Sequence, residues 1–263
     1  MTLSADELNS LTVELMAAHA DRAPVQAFSE RHPSLTQEEA YRIQLANAEA
    51  KVRSGAQVIG MKVGYTSRAT QQQFGIDEPV FGLLMDSGVR RDGAEIPCAE
   101  AISPKIEPEI ACLLKEDLKG PGVAVAHALA AIAGVMPSFE LVDSRFRDWK
   151  ANAIDMTADN VGGWGIVLGG RLTPVETIDL RTVGVVLERN GRVVSTGSGA
   201  AALGNPADVL AWLANKLASF NLGLKKGQVV ITGSLVRAEP IQPGDCYRAE
   251  FDRIGVVSAT FVP

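Results

Sequence analysis

Apolar side chains recur at helical spacing through the first 56 residues and in short alternating runs after them. Ser4-x-x-Glu7 has the form of a capping box ahead of Leu8, Leu11, Leu15 and Met16, which predicts a helix over about residues 5–20. Thr36-x-x-Glu39 repeats the signature ahead of Tyr41, Ile43, Ala46, Ala50 and Val52, and Ser54-Gly55 marks the expected stop. Residues 1–56 therefore read as a helical segment that packs onto the rest of the chain or onto another subunit.

From Gln57 the runs are β-prone and broken by Gly, Pro and Asp, beginning with Val58–Ser67. The segment Gly75–Leu83 is turn-rich and is expected to form a mobile cover, and an alanine-rich helix is expected over about residues 124–134. Asn190-Gly191 between two alternating runs is the strongest hairpin signal in the chain. Asn205-Pro206 opens a helix carrying Val209, Leu210, Trp212, Leu213 and Leu217. Strands are expected at Val229–Leu235, Tyr247–Phe251 and Val256–Val262. No repeat, low-complexity run or linker follows residue 56, so residues 57–263 read as one β-rich α+β domain.

Composition changes this picture little. A net charge of −6 with no Lys/Arg-rich run argues against nucleic acid or an anionic membrane as partner, leaving room for a small anionic substrate. Cys98, Cys112 and Cys246 are odd in number and widely spaced, as suits a reducing cytoplasm. The N-terminus, from Met1, lacks a signal-peptide pattern, and the Ala/Val-rich run near residues 123–136 is too short to span a bilayer. His19, His32 and His127 are too scattered for a histidine-based metal or triad site.

The candidate chemistry lies in Lys105-Ile106-Glu107-Pro108-Glu109-Ile110. Strand alternation puts Lys105, Glu107 and Glu109 on one face, the two carboxylates roughly 6.5–7 Å apart along it. A third acid, Glu140, is embedded in Ser138-Phe139-Glu140-Leu141-Val142. Spacing alone fits a half-solvated strand better than a metal site. Three oxygen donors closing on Mg²⁺ or Mn²⁺, with positions left for a chelating substrate, is the alternative it leaves open. Lys62, inside Val58–Ser67, is either a snorkelling strand lysine or a desolvated acid–base group. The small residues of Ala158-Asp159-Asn160-Val161-Gly162-Gly163-Trp164-Gly165 suggest a backbone that passes close to something, or simply close packing.

Met61-Lys62-Val63-Gly64-Tyr65-Thr66-Ser67, Lys105–Ile110, Glu140-Leu141-Val142-Asp143-Ser144-Arg145, Ala158-Asp159-Asn160 and Ile231-Thr232-Gly233-Ser234 occur in one order. Together they resemble the 2-keto-4-pentenoate hydratase / 2-oxo-3-hexenedioate (4-oxalocrotonate) decarboxylase family, a branch of the fumarylacetoacetate hydrolase superfamily. The resemblance implies a mixed-sheet β-roll core with an N-terminal helical segment, a homo-oligomer, and lyase work late in meta-cleavage breakdown of aromatic compounds. By position it implies Glu107, Glu109 and Glu140 as ligands of Mg²⁺ or Mn²⁺, and Lys62 as an acid–base or substrate-binding group. It also implies Thr232 and Ser234 as contacts to the substrate carboxylate, and Val80 and Leu83 as substrate-binding positions. Hydratases of the family generally carry Asp where this chain has Val80, which favours 2-oxo-3-hexenedioate decarboxylase over 2-keto-4-pentenoate hydratase. Arg145 either holds a distal substrate carboxylate or pairs with Asp143. Val161-Gly162-Gly163 stands where the family more often has Ala-Ser-Ser. That departure keeps a non-catalytic partner subunit, complexed with a pathway hydratase or decarboxylase, as a further alternative.

Overall fold

A computed structural model describes residues 3–263; Met1 and Thr2, where the segment without a signal pattern begins, lie outside the described residues. Both capping boxes form, Ser4 with Glu7 opening α1 (Ala5–Asp21) and Thr36 with Glu39 opening the helix at Gln37–Arg53. Between them lies a single turn, α2 (Phe28–Arg31), so the Gln37–Arg53 helix is α3. Then follow β1 (Val58–Gly64), α4 (Arg68–Phe74), β2 (Val80–Met85), β3 (Val89–Arg91), β4 (Ala94–Pro97), β5 (Lys105–Leu114), α5 (Val125–Ala131), β6 (Ile132–Val142), α6 (Ala153–Ala158) and β7 (Gly163–Leu168). The last third adds β8 (Gly184–Arg189), β9 (Arg192–Ser198), α7 (Pro206–Ala218), β10 (Val229–Ile231), β11 (Glu239–Pro240), β12 (Cys246–Phe251) and β13 (Gly255–Val262).

The strands make two mixed sheets, giving the α+β architecture expected. One runs β2-β1-β10-β5-β6-β7-β3 with β11 beside β5, the other β4-β13-β12-β8-β9. β1/β10, β3/β7 and β4/β13 are parallel, and pairs such as β1/β2, β5/β6 and β6/β7 antiparallel. The first sheet curls until β2 packs near β7. Asn160 clamps the two flanks, its Oδ1 accepting from Leu83 N at 2.8 Å and its Nδ2 donating to Leu83 O at 2.9 Å.

Alternation sorts the sheet into two sides. One packs Met61, Phe81, Ile106, Ile110 and Phe139 into the main core shared with α7 and the second sheet. The other carries the small apolar cluster of Leu84, Ala111, Ile166, Val229 and Ile231. Lys62, paired with Ile231, and Glu109, two residues before Ala111, continue that second side. Polar residues thus stand where the inner apolar cluster stops.

The helical segment is tied to the rest by burial. Leu11, Phe28, Ala40 and Ile43 pack with Phe146 and Ala158, and the Phe28 and Phe146 rings meet edge to face at 5.1 Å. Buried Gln44 of α3 donates to Phe81 O at 2.9 Å and to Thr157 O at 2.8 Å, bridging β2 and α6. No helix among the described residues is long and apolar enough to cross a membrane.

Three expectations shift. The alanine-rich helix stops at Ala131 because Ile132 is already extended and pairs with Leu114. The strand expected over Val229–Leu235 ends at Ile231, where the chain turns through Gly233 at φ 96°. The second half of the expected Gly75–Leu83 cover is instead buried strand β2, and α4, just before it, borders the central cavity. The hairpin forms as expected, with Asn190 and Gly191 at φ 53° and 74° between β8 and β9, the left-handed pair that a two-residue type I′ turn needs.

Candidate active site

β5 and β6 pair so that Glu107 lies directly opposite Glu140. Like charges in that position normally destabilise a sheet. Glu109 follows on the same face of β5, and one carboxylate oxygen from each of the three lies within 4.8 Å of the others. Burial, reinforced by Glu140, pushes Glu107 up to about 7, and burial with both neighbours raises Glu109 well above the carboxylate range. Burial also raises Glu140, against the pull of Lys62.

Lys62 and Glu140 form an ion pair with side chains 1% and 2% exposed, and Lys62 Nζ donates to Val161 O at 2.8 Å. The small-residue loop is therefore close to Lys62. Asn160, Val161 and Gly162 all have positive φ, 52°, 53° and 69°, and a β-branched residue in that region is strained. The strain accompanies the carbonyl that holds Lys62.

Glu109 Oε2 accepts from Gly233 N at 2.6 Å, whereas its Oε1 is buried with no partner among the described residues. Gly233 cannot be replaced there without conflict, since a Cβ at φ 96° would collide with Thr66 Oγ1. Three clustered carboxyls whose charge burial resists, one with an orphaned oxygen, form a donor set that a hard divalent cation would satisfy. Glu107, Glu109 and Glu140 are the residues able to hold it.

These groups line a cavity of about 780 Å³, shared with Tyr65, Thr66, Lys105, Trp149, Ser234 and Arg237. Lys105 Nζ sits 3.8 Å from the Trp149 ring centroid, and that indole donates to Ser103 O at 3.0 Å. Burial first, and the Arg237 charge as well, lower the Lys105 pKa, while Glu107 raises it. Tyr65, at φ 58°, rests on Phe74 and has its phenol raised by burial.

Of the other expected substrate residues Ser234 lines the cavity, whereas Arg145, Val80, Leu83 and Thr232 are outside its lining. Arg145 is buried outside the cavity lining, and its partner is Asp159 rather than Asp143, with Nε to Oδ1 at 2.5 Å and Nη2 to the Asp159 carbonyl at 2.6 Å. Burial pushes Asp159 up to about 6 even beside that guanidinium. Asp143 instead accepts from Ile102 N and Ser103 N at 2.8 and 2.7 Å. Val80 is buried behind the wall, its Cγ2 3.7 Å from where a Cβ on Gly64 would stand. Leu83 belongs to the main core and meets the site only through its backbone, by way of Asn160. Thr232 Oγ1 donates to Ile110 O at 3.1 Å and Ser234 Oγ to Val236 O at 2.7 Å, so both hydroxyls are held by the backbone. Sequence reasoning missed Asn160, Thr66, Tyr65, Trp149 and Arg237 as site residues. Of these Tyr65 and Thr66, in Met61–Ser67, and Asn160, in Ala158-Asp159-Asn160, stood in motifs already quoted, whereas Trp149 and Arg237 stood in none of the motifs quoted for the resemblance.

The pattern described as Fumarylacetoacetate (FAA) hydrolase C-terminal matches residues 57–262. A 4-oxalocrotonate decarboxylase of Pseudomonas putida is 38% identical over 260 residues, 97% of this chain and 98% of the relative. A 2-hydroxypent-2,4-dienoate hydratase of Pseudomonas putida is 44% identical over 216 residues, 82% of this chain and 97% of the relative. Among solved structures, 4-oxalocrotonate decarboxylase from Pseudomonas putida G7, complexed with magnesium and adipate, superimposes with a TM-score of 0.97 at 36% identity, covering 99% of each chain.

Proposed function

The chain belongs to the fumarylacetoacetate hydrolase family, and from that premise we propose that it is a divalent-metal-dependent lyase of unsaturated 2-oxo acids from aromatic meta-cleavage, favoured as a 2-oxo-3-hexenedioate decarboxylase. The observation that carries this is the cluster of half-buried Glu107 with buried Glu109 and Glu140, and its orphaned Glu109 oxygen. Glu107, Glu109 and Glu140 would hold Mg²⁺ or Mn²⁺, which would supply Lewis acidity toward a 2-oxo acid. Lys62, fixed by Glu140 and Val161 O, stands beside these carboxylates as the acid–base or substrate-binding group. Tyr65, Phe74, Met156 and Val161 line the apolar wall that excludes water while the remote bond breaks.

Cleavage is preferred to hydration because among the described residues the cavity lining holds no Asp or His, and its only carboxylates are the three that would hold the ion. Hydration needs a separate group to direct water; decarboxylation needs an electron sink and a dry pocket. The hydratase reading stands second, supported by the dienoate hydratase relative. The division at residue 56 into a helical segment and a catalytic domain belongs to the same proposal, as does a homo-oligomer, which the exposed Val186, Val193 and Val194 of β8 and β9 support. The free thiols at Cys98, Cys112 and Cys246 fit a cytoplasmic setting.

The test is a paired assay with Mg²⁺ and then EDTA, following CO₂ release from 2-oxo-3-hexenedioate and loss of 2-hydroxypenta-2,4-dienoate absorbance. Metal-dependent CO₂ release alone is expected. Dienoate consumption without CO₂ would select the hydratase, and no turnover of either compound would reject both.

A further inference from the structure

We infer that Arg237, seconded by Lys105, receives the distal carboxylate of the substrate, so that this chain selects unsaturated 2-oxo dioates over 2-oxo monoacids. The inference rests on the reading of the cavity as a 2-oxo acid site and assigns the end of it that no other residue accounts for.

The cavity is bipolar. Its acidic end is the Glu107, Glu109 and Glu140 cluster, and its other charged lining residues are Lys62, Lys105 and Arg237. Lys62 is taken by Glu140, and Arg145 outside the lining is taken by Asp159. Among the described residues Lys105 and Arg237 enter no ion pair with a carboxylate, although both border one cavity. Two neighbouring cations facing a common space, neither held in an ion pair, suit an anionic ligand group.

Their place along the site follows from the register. The segment after β10 runs antiparallel to β5: Gly233 N bonds Glu109, Leu235 N donates to Pro108 O at 3.1 Å, and Glu239 and Pro240 pair with Ile106 and Lys105. Arg237 therefore falls toward the Lys105 end, away from Gly233. The Ser234 Oγ to Val236 O bond at 2.7 Å fixes the turn just before it. Along β5, Lys105 stands one two-residue step beyond Glu107, roughly 6.5–7 Å. The carboxyl carbons of an extended six-carbon dioate, joined by five bonds of about 1.5 Å in a zigzag, lie roughly 6 Å apart. Such a ligand spans the step with its 2-oxo acid end at the glutamates. The hydroxyls of Thr232 and Ser234 are bonded to backbone carbonyls, which leaves recognition of a second carboxylate to the two cations.

The experiment uses unreactive saturated probes, 2-oxoadipate and 2-oxohexanoate, titrated calorimetrically into the full chain with and without Mg²⁺. The wild type is expected to bind 2-oxoadipate at least about ten-fold more tightly than 2-oxohexanoate, the size of one charge-assisted hydrogen bond. Arg237→Gln should abolish that preference while leaving the 2-oxohexanoate affinity within about two-fold, and Arg237→Lys should restore part of it. No preference in the wild type, or equal weakening of both probes by Arg237→Gln, would overturn the assignment. Affinities of both probes that stay unchanged without Mg²⁺ would count against the metal reading of the glutamates while leaving Arg237 in its role.

Discussion

Glu107 opposite Glu140 is a pairing that stability alone disfavours, so its residues respond to substitution unlike ordinary buried acids. Glu107→Gln removes a like charge from the cluster, and the metal-free protein is expected to gain stability, by up to about 1 kcal/mol. Mg²⁺ affinity in the same variant should fall by more than the roughly 10- to 100-fold that follows loss of a residue merely supporting a ligand, and turnover with it. Asp159→Asn makes the opposite contrast. It leaves the Arg145 guanidinium buried without its countercharge and should cost about 3–5 kcal/mol while Mg²⁺ affinity holds. Urea unfolding of the chelated proteins and calorimetric Mg²⁺ titration separate the two. If Glu107→Gln destabilised the metal-free protein as Asp159→Asn does, the cluster would be structural rather than a metal site.

At the scale of elements, what could be read from the sequence was what is local. The two capping boxes, the Asn190-Gly191 hairpin and the Asn205 cap each declare themselves within a few residues, and all form. Single-turn α2 and two-residue β11 carry too few side chains to show a period. Closure of the curled sheet was illegible for another reason: the Asn160–Leu83 clamp joins residues 77 apart, and no local pattern announces the partner. The helical segment was seen as helices but not as part of the site's support, which it is through Gln44 on Phe81 and Thr157. Phe28→Ala should therefore destabilise the whole chain, by about 3–5 kcal/mol, with unfolding still a single transition. Thermal unfolding followed by both far-UV and tryptophan signals checks this. Two separated transitions would show the segment folding on its own.

Across the whole molecule the acidic end of the site was readable because charge in an apolar strand is conspicuous, and the three glutamates and Lys62 do come together. The substrate end was not. Ser234 does line the cavity, but Val80, Leu83, Thr232 and Arg145 have their side chains directed elsewhere by hydrogen bonding and burial, while exposed Arg237 gives no sequence sign of lining it. The glutamates also couple the site to global stability. Without a metal, the folded state raises their pKa values above the unfolded 4.5, Glu107 to about 7, and so keeps protons that the unfolded chain has lost. The sign is then fixed: the metal-free protein loses stability as pH rises from about 4.5 through about 7 where Glu107 ionises, and Glu109 and Glu140, both raised, act in the same direction. Metal binding needs the same groups ionised and so gains with pH over the same range. The difference in melting temperature between Mg²⁺-loaded and EDTA-treated protein should therefore be small at pH 5 and widen to several degrees at pH 8, while Glu107→Gln flattens the pH dependence. A gap equal at both pH values would mean that the stabilising ion sits on groups other than these three carboxylates.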